Sequence, residues 1–315
     1  MSQVDSHPRA KSSEWTFRDA LLVGAAMALL AIVTTAVALR EEWRSLVGAN
    51  AGVPKAIATL TTSDFHSLAF DPRDPDTVYF GHHYGVLKSI DGGVNWSPVL
   101  RQGDAMSLVA LDNTLVMAGH QVFMRGENGG ATWKSINTNL PDQDIHGFAV
   151  SPANPSAGSG QAPKTFFAFI VSYGLWRSDD AGATWALVSK ELPDTVLALA
   201  VVPTSPETLY AGTLDKGLLK SADGGKTWKP VTGLSTQMAS GLAQDPREPR
   251  LLFAGTEGGL YRSNVDGTSW TWFGLPDKDI AAIAISPANP SRMLVVDAQG
   301  RVYRSEDGGA TWGGK

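Results

Sequence analysis

The sequence predicts an all-β fold, a six-bladed propeller of four-stranded antiparallel blades, preceded by one N-terminal membrane-spanning helix. The propeller is indicated first by a turn-rich octet with a closing tryptophan, which occurs six times as SIDGGVNW, GENGGATW, SDDAGATW, SADGGKTW, SNVDGTSW and SEDGGATW. The closing tryptophans are separated by 37, 52, 43, 42 and 42 residues. Self-similarity at a fixed period is typical of repeat architectures, and four short strands per period of about 43 residues favour a propeller blade.

The fourth repeat shows the strands of one blade most clearly. Its apolar runs LALAV, TLYAG, LLKS and TWKPV are bounded by Gly, Pro and Asp, and they predict strands A, B, C and D. The octet forms the C–D hairpin. Prolines in the A–B turns, as in SPANP and DPREPR, end the flanking strands. The interval of 52 residues contains SPANPSAGSGQAPK, a Gly-, Ser- and Pro-rich loop insertion.

The two ends of the repeat array predict how the ring closes. The last repeat stops at TWGGK and lacks most of its D strand, whereas residues 55–62 read as a D strand without A, B and C strands of their own. Pairing 55–62 with the last repeat completes six blades and leaves no unprotected end strand. The predicted propeller domain therefore spans 55–315.

The octet has the chemistry of a structural turn. An Asp at its third position can hydrogen-bond the backbone two residues on, and its glycines accept positive φ. The octet resembles the Asp-box, or BNR repeat, of sialidases, xyloglucanase-type glycosidases, sortilin-type receptors and photosystem assembly-factor propellers. The residues at the Asp position are Asp91, Asn128, Asp180, Asp223, Val265 (with Asp266 one place late) and Asp307. The resemblance implies a propeller and leaves a glycosyl hydrolase-like activity and a binding role open.

The activities of two members of that family, sialidases and xyloglucanases, are not favoured by this sequence. Resemblance to sialidases would imply an arginine triad and an Arg-Ile-Pro segment, and no Arg-Ile-Pro occurs in this sequence. We therefore expect sialidase chemistry to be missing. A xyloglucanase-type polysaccharide cleft would require a second propeller domain.

Composition excludes several classes of partner and site. The net charge of −5 gives no polycationic surface for nucleic acid. The absence of cysteine excludes disulfides, thiolate nucleophiles and thiolate metal ligands.

The N-terminal region predicts a membrane anchor. Residues 20–39 are uncharged, and as a helix they would span roughly 30 Å, the thickness of a bilayer core. The positive residues before the span slightly outnumber those after it, which favours a cytoplasmic tail at 1–19, a linker at 40–54 and an extracytoplasmic propeller. In the alternative, the run is a signal peptide cleaved after Ala38, and the propeller is secreted.

Candidate functional residues lie on the face opposite the octets, formed by the D–A and B–C loops. The D–A loops carry, at one equivalent position, Asp64, Asp104, Asp144, Thr195, Met238 and Asp279. Two residues later, the first and third repeats have His66 and His146. The B–C loops supply His82, His83, Tyr84, His120, Tyr173, Asp215, Glu257 and Asp297. Five of the six histidines thus map to this face.

Several interpretations of this face remain open. The polar residues can be solvated loop residues, or they can bind a carbohydrate, a peptide or a membrane-associated protein through the histidines, tyrosines and acidic B–C residues. Glycoside hydrolysis would need two carboxylates, with Asp64, Asp104, Asp144 and Asp279 as candidates. A Zn²⁺ or Cu²⁺ site would use His66, His146, Asp64 and Asp144, because Asp and His two residues apart share one side of an extended chain. We favour a binding or assembly module, with a hydrolase as the alternative.

Overall fold

The strands of the propeller form six separate antiparallel sheets of four strands each. The computed structural model describes residues 54–62, 64–151, 165–204, 206–234, 238–265 and 267–313. The predicted tail, membrane span and nearly all of the linker lie outside these ranges, as does most of the SPANPSAGSGQAPK loop. Among the described residues, none belongs to a helix with the length and apolar character needed to cross a bilayer.

The strands follow the chain in blade order. Blade one contains β2 (Ser67–Phe70), β3 (Val78–His82), β4 (Gly85–Ser89) and β5 (Ser97–Leu100). Blade two contains β6 (Ser107–Leu111), β7 (Thr114–Gly119), β8 (Val122–Glu127) and β9 (Thr132–Ser135). Blade three contains β10 (Ile145–Val150), β11 (Phe166–Ile170), β12 (Gly174–Ser178) and β13 (Ala186–Ser189). Blade four contains β14 (Val196–Val202), β15 (Thr208–Thr213), β16 (Leu218–Ser221) and β17 (Lys229–Pro230). Blade five contains β18 (Ala239–Gln244), β19 (Leu252–Thr256), β20 (Gly259–Ser263) and β21 (Trp270–Gly274). Blade six contains β22 (Ile280–Ile285), β23 (Met293–Asp297), β24 (Arg301–Ser305) and β1 (Ala58–Thr59).

Blade six takes its outer strand from the other end of the chain. Strand β1 runs antiparallel to β24, with Ala58 opposite Val302. Backbone hydrogen bonds extend this pairing on both sides, from Ile57 N to Val302 O and from Leu60 N to Gly300 O, each at 2.8 Å. The sequence-based prediction of six four-stranded antiparallel blades is confirmed.

The first strand of each blade lines the central axis. Strands β2, β6, β10, β14, β18 and β22 contact one another in succession, and β22 contacts β2 to close the ring. The apolar core is divided into six clusters, each shared by two neighbouring blades. One octet tryptophan packs in each cluster: Trp96, Trp133, Trp185, Trp228, Trp270 and Trp312. The octets therefore fix each blade to the one before it.

The hydrogen bonds within an octet hold a tight turn. In the fourth octet, Asp223 accepts from the Ser221 hydroxyl at 2.7 Å and from Thr227 N at 3.0 Å. The Gly225 N donates to Ser221 Oγ at 2.9 Å, and Trp228 Nε1 donates to Gly225 O at 3.1 Å. These contacts use both oxygens of the aspartate within the turn, because Asp223 Oδ2 also accepts from Thr227 Oγ1 at 2.7 Å.

The fifth octet departs from the sequence alignment by one residue. The alignment places Val265 at the acceptor position, but the side chain that accepts is Asn264. Its Oδ1 receives Thr268 N at 2.9 Å and Ser269 N at 3.2 Å. An amide replaces the carboxylate here because both side chains offer an oxygen at the same reach.

The two kinds of loop occupy opposite ends of the propeller. The octets hydrogen-bond the A–B turns, with backbone contacts from Gly92 to Asp76, Gly224 to Glu207 and Gly308 to Ser291. The B–C loops hydrogen-bond the D–A loops, with backbone contacts from Val171 to Asp144, Leu214 to Thr195 and Ala298 to Asp279. We call the end formed by the D–A and B–C loops the histidine face.

Candidate functional site

Asp104 lies at the centre of the histidines of the histidine face, all of which belong to blades one to three. Its side chain is only 4% exposed, in the D–A loop that precedes β6. Its Oδ2 lies 3.0 Å from His83 Nδ1 and 2.8 Å from His120 Nδ1, and its Oδ1 lies 3.1 Å from His66 Nε2. A carboxylate from one loop thus faces imidazoles from three other loops.

The histidines around Asp104 determine its ionisation. Burial acts to raise the pKa of Asp104, but the contacts with His66, His83 and His120 outweigh burial and lower the pKa to about 2. The His66 contact is close, yet its atoms are not aligned as a hydrogen bond, so we regard its contribution as electrostatic. Asp104 is therefore a fixed negative charge at neutral pH and a poor proton donor.

A second carboxylate, Asp144, lies on the other side of His120. The Nε2 of His120 is 3.7 Å from Asp144 Oδ1 and 2.8 Å from His146 Nε2. His146 Nε2 is in turn 3.4 Å from the same Asp144 oxygen. Burial lowers the pKa of His146, although Asp144 and the backbone of Val196 act in the opposite direction. His120 therefore bridges two carboxylates, presenting Nδ1 to Asp104 and Nε2 to Asp144.

Within the part of the chain that the structure describes, the potential metal ligands fall into two groups. Asp64, His66 and His83 form one, and His120, Asp144 and His146 form the other, with the ligand atoms of each group within 4.8 Å of one another. The sequence-based set combined His66 and His146 with their neighbouring aspartates. The structure places these two histidines in different groups, since blades one and three are not adjacent.

The remaining aromatic candidates differ in exposure. His82 is buried, its Nδ1 accepts from Tyr84 N at 3.2 Å, and burial lowers the pKa of its imidazole. Tyr84 is 62% exposed and contacts the His83 ring edge-on at 4.8 Å between centroids. Tyr173 is 39% exposed. The histidine face thus offers two accessible tyrosines, whereas His82 supports the loop from inside.

The acidic residues of blades four to six have other partners. Asp215 accepts from Thr195 Oγ1 at 2.6 Å, and Glu257 accepts from the backbone of Met238 at 3.1 Å. Asp297 is fully buried and accepts from Arg301 Nε at 2.7 Å, so its carboxylate holds the β23–β24 hairpin.

The surroundings of Asp279 disfavour its ionised form. Burial raises the pKa of Asp279, and the negative charges of Glu257 and Asp297 raise it further. Asp279 and Asp64 line the same cavity of about 370 Å³ at the mouth of the central channel, together with His66 and Met106. A narrower space of about 80 Å³ continues between the first strands of the blades. Another cavity, lined by Lys220 and Asp223 on the octet side, contains none of the predicted site residues.

Comparisons with known proteins place this chain among propellers. No family model matches it. A xyloglucanase from Paenibacillus sp. is 27% identical over 163 residues, which cover 39% of this chain and 16% of that enzyme. The crystal structure of the GH74 xyloglucanase from Xanthomonas campestris aligns with a TM-score of 0.53 and 14% identity, covering 82% of this chain and 55% of that chain. The structure of YCF48 bound to D1 peptide aligns with a TM-score of 0.49 and 18% identity, covering 83% and 87% of the two chains.

The shared feature is the fold. The structural likeness to the Xanthomonas enzyme, at 14% identity, supports a propeller and no more. The sequence likeness to the Paenibacillus enzyme adds a glycosyl hydrolase-like relationship over a limited stretch. This chain spans less than two thirds of the length of either xyloglucanase.

Sequence reasoning did not foresee the central position of Asp104 or the pairing of His120 with His146. It placed Asp104 in register with the other D–A aspartates and treated them as equivalent. The available signal was the density of B–C histidines, His83 and His120, on the two blades that flank the Asp104 loop.

Proposed function

We propose that this protein is a membrane-anchored, extracytoplasmic binding or assembly module that recognises a peptide or a membrane-associated protein through the histidine face. The observation that supports the proposal best is the convergence of His66, His83 and His120 on the buried Asp104. These residues lie outside the apolar clusters of blades one to three, at the end of the propeller opposite the octets.

The exposed aromatic residues favour a polypeptide partner. Tyrosines supply large contact area at low conformational-entropy cost and are enriched where proteins bind one another. Tyr84 is exposed beside His83, Tyr173 is exposed on the B–C loop of blade three, and a cavity lined by Asp64 and His66 lies between the loops of the same face. We propose that the octets are structural Asp-boxes, because the Ser hydroxyl donates to the Asp carboxylate in four of them and the Trp Nε1 donates to a Gly carbonyl in four.

Photo-cross-linking tests the proposed face and does not require the partner to be identified first. A photo-reactive phenylalanine analogue is placed at Tyr84 or Tyr173 in the full chain, in the membranes of its own cells. Position 90 is the matched control, because Ile90 is 72% exposed and lies on the octet side. We expect discrete adducts with a polypeptide from the two tyrosine positions only. Adducts from position 90 alone would contradict the proposal.

The membrane anchor is part of the proposal and has its own test. The uncharged run at 20–39 and the slight excess of positive residues before it support a single-pass orientation with the propeller outside the cytoplasm. We expect the full chain to remain with membranes and the propeller to be digested by protease added outside the cell. Release of a shortened chain into the medium would instead favour cleavage after Ala38.

A glycosyl hydrolase-like enzyme on the same face is the second candidate. The raised pKa of Asp279 suits a general acid, and Asp64 in the same cavity would be the general base or nucleophile. The likeness to a xyloglucanase suggests xyloglucan oligosaccharides as the first substrates to test. Reducing-sugar release that is lost in both Asp279→Asn and Asp64→Asn, but retained in His146→Ala, would favour this candidate over the binding module.

A further inference from the structure

We infer that His120, His146 and Asp144 bind a divalent transition-metal ion, with Asp104 as the residue that positions His120. This inference deepens the proposed binding face and rests on it. The three ligands come from two neighbouring blades: His120 from the B–C loop of blade two, Asp144 from the D–A loop that leads into β10, and His146 from the start of β10 itself. Together they form one of the two groups, among the described residues, in which potential ligand atoms lie within 4.8 Å of one another.

The separations of the three ligand atoms suit a metal ion. They are 2.8 Å between the two Nε2 atoms, 3.4 Å from His146 Nε2 to Asp144 Oδ1, and 3.7 Å from His120 Nε2 to the same oxygen. A point equidistant from three atoms so spaced lies about 1.9 Å from each, close to the bond lengths of about 2.0–2.2 Å that Zn²⁺ makes with imidazole and carboxylate. The ion would sit slightly out of the plane of the three atoms.

Asp104 prepares His120 to act as a ligand. The contact of 2.8 Å between His120 Nδ1 and Asp104 Oδ2 places the ring proton on Nδ1, which leaves the Nε2 lone pair directed at Asp144 and His146. A carboxylate that orients a ligating histidine in this way is a common support of metal sites. Asp104 is held rigidly for this role because it is almost completely buried.

Among the described residues, Asp144 presents an oxygen without a hydrogen-bond donor to the two imidazoles. This atom, Oδ1, is buried. A buried carboxylate oxygen is costly unless it is hydrogen-bonded or coordinates a cation. A metal ion between Asp144 and the two imidazoles would satisfy this oxygen and both nitrogens together.

The ligand types determine which ion to expect. Two imidazoles and one carboxylate, in a chain without cysteine, match the three-ligand Zn²⁺ sites that keep a fourth position open, and Cu²⁺ also accepts such donors. His120 is 46% exposed, so the open position faces solvent. An oxygen donor of the bound partner, such as a carboxylate, would fill that position.

An aspartate of blade four provides a matched control. Asp215 lies on the same face, but its carboxylate accepts from Thr195 Oγ1 at 2.6 Å and belongs to neither group of potential ligands. Asp215→Asn keeps an acceptor oxygen for Thr195. This substitution should therefore leave the proposed metal site intact.

Metal binding by the full chain in detergent, after treatment with a chelator, tests the inference with Zn²⁺ alone. We expect one Zn²⁺ per chain by calorimetry, and a rise in melting temperature on Zn²⁺ addition. His120→Ala, His146→Ala and Asp144→Asn should each lower the affinity at least about 100-fold, since each removes one of only three protein ligands. Asp104→Asn should lower it about 10- to 100-fold, as expected for a positioning residue, without changing the stoichiometry.

Asp215→Asn should bind Zn²⁺ within about threefold of the wild type, because it removes a carboxylate of the same face but no ligand. Loss of binding in His66→Ala with retention in His146→Ala would overturn the inference, as would the absence of stoichiometric binding in the wild-type chain. Where His146→Ala fails to fold, His120→Asn is the second variant, because the His120 side chain is half-exposed. The visible spectrum of the Co²⁺-loaded chain, altered in Asp104→Asn at an unchanged melting temperature, reports the positioning role.

The outcome is separable from that of the proposed function. The cross-linking experiment is repeated with chelator present. Partner adducts that persist while Zn²⁺ binding is absent would support the binding face and contradict the metal site. Stoichiometric Zn²⁺ binding without any adduct from Tyr84 or Tyr173 would support the metal site and contradict the proposed polypeptide partner.

Discussion

At the scale of single residues, Asp104 shows how the protein retains a buried charge. Burying a carboxylate is costly unless other groups compensate it, and here His66, His83 and His120 lie within about 3 Å of its two oxygens. The result is a lowered pKa despite burial. Because the compensating groups come from three loops, the charge also fixes those loops relative to one another.

The octet tryptophans are not equivalent as single residues. Trp185, Trp270 and Trp312 are buried, whereas Trp96, Trp133 and Trp228 are half-buried. Trp185 packs against Phe123 of the preceding blade and Phe148 of its own, and its Nε1 donates to Gly182 O at 3.0 Å. The contribution of each tryptophan to stability should follow its burial.

We predict that Trp185→Ala lowers the free energy of unfolding by about 3–5 kcal/mol, as large-to-small changes in a packed core do. Trp228→Ala should lower it by less, because part of that ring is exposed before unfolding. Urea denaturation of both variants measures the difference. Equal losses would show that burial of the ring does not determine the contribution of the octet.

At the scale of elements, the octet is a turn stabilised by an ionised aspartate. Hydrogen bonds from Thr184 and Ser178 lower the pKa of Asp180 to about 2. In Asp91, burial opposes the shift, but the contacts with Asn95, Ser89 and Val94 lower the pKa to about 2. Both values lie below the reference value of 3.8 for an aspartate.

These shifts predict an acid-sensitive fold. A carboxyl group with a lower pKa in the folded chain than in the unfolded chain stabilises the fold fully above the unfolded value, and this stabilisation is lost as the pH falls through the folded value. We expect stability to decline between pH about 4 and about 2. Asp180→Asn keeps an acceptor oxygen but cannot ionise, so its denaturation midpoint should depend less on pH in that window. A pH profile parallel to that of the wild type would contradict this explanation.

At the scale of the whole molecule, the ring is closed by a short ladder from a distant part of the chain. Strand β1 contributes only Ala58 and Thr59 to the sheet of blade six, supported by hydrogen bonds at Ile57 and Leu60. Leu60 is also buried in the cluster that blades six and one share. Closure therefore combines these backbone bonds with the apolar cluster shared by blades six and one, to which Ile57, Ala58 and Leu60 contribute.

We predict that deletion of residues 54–62 unfolds the propeller or makes it oligomerise, because it exposes the edge of β24 and opens the shared cluster. Deletion of residues 1–39 is the control and should leave a soluble, folded propeller. Size-exclusion chromatography and thermal melting distinguish the outcomes. A monomer lacking 54–62 that melts cooperatively at the wild-type temperature would show that β1 is dispensable.

Local signals in the sequence were sufficient to predict the blade count, the four strands of each blade and the octet hairpins. Apolar runs, turn residues and a fixed period repeat along the chain and so reinforce one another. A local signal was misleading in the fifth octet. Asn and Asp are interchangeable acceptors there, and the acceptor is Asn264 rather than the residue at the aligned position. The sequence also placed five histidines on one face, because loop connectivity in a blade dictates the end at which each loop lies.

Which of these side chains meet is evident only from the tertiary structure. His120 and His146 lie 26 positions apart on different blades, and their Nε2 atoms come within 2.8 Å because the B–C loop of blade two reaches the start of β10 in blade three. The same geometry separates His66 from His146 and buries Asp104 between three imidazoles. Repeat periodicity fixes the position of a residue along its own blade, whereas contacts between loops depend on the angle and spacing of neighbouring blades. Those follow from the packing of the interblade clusters, which no short stretch of sequence encodes.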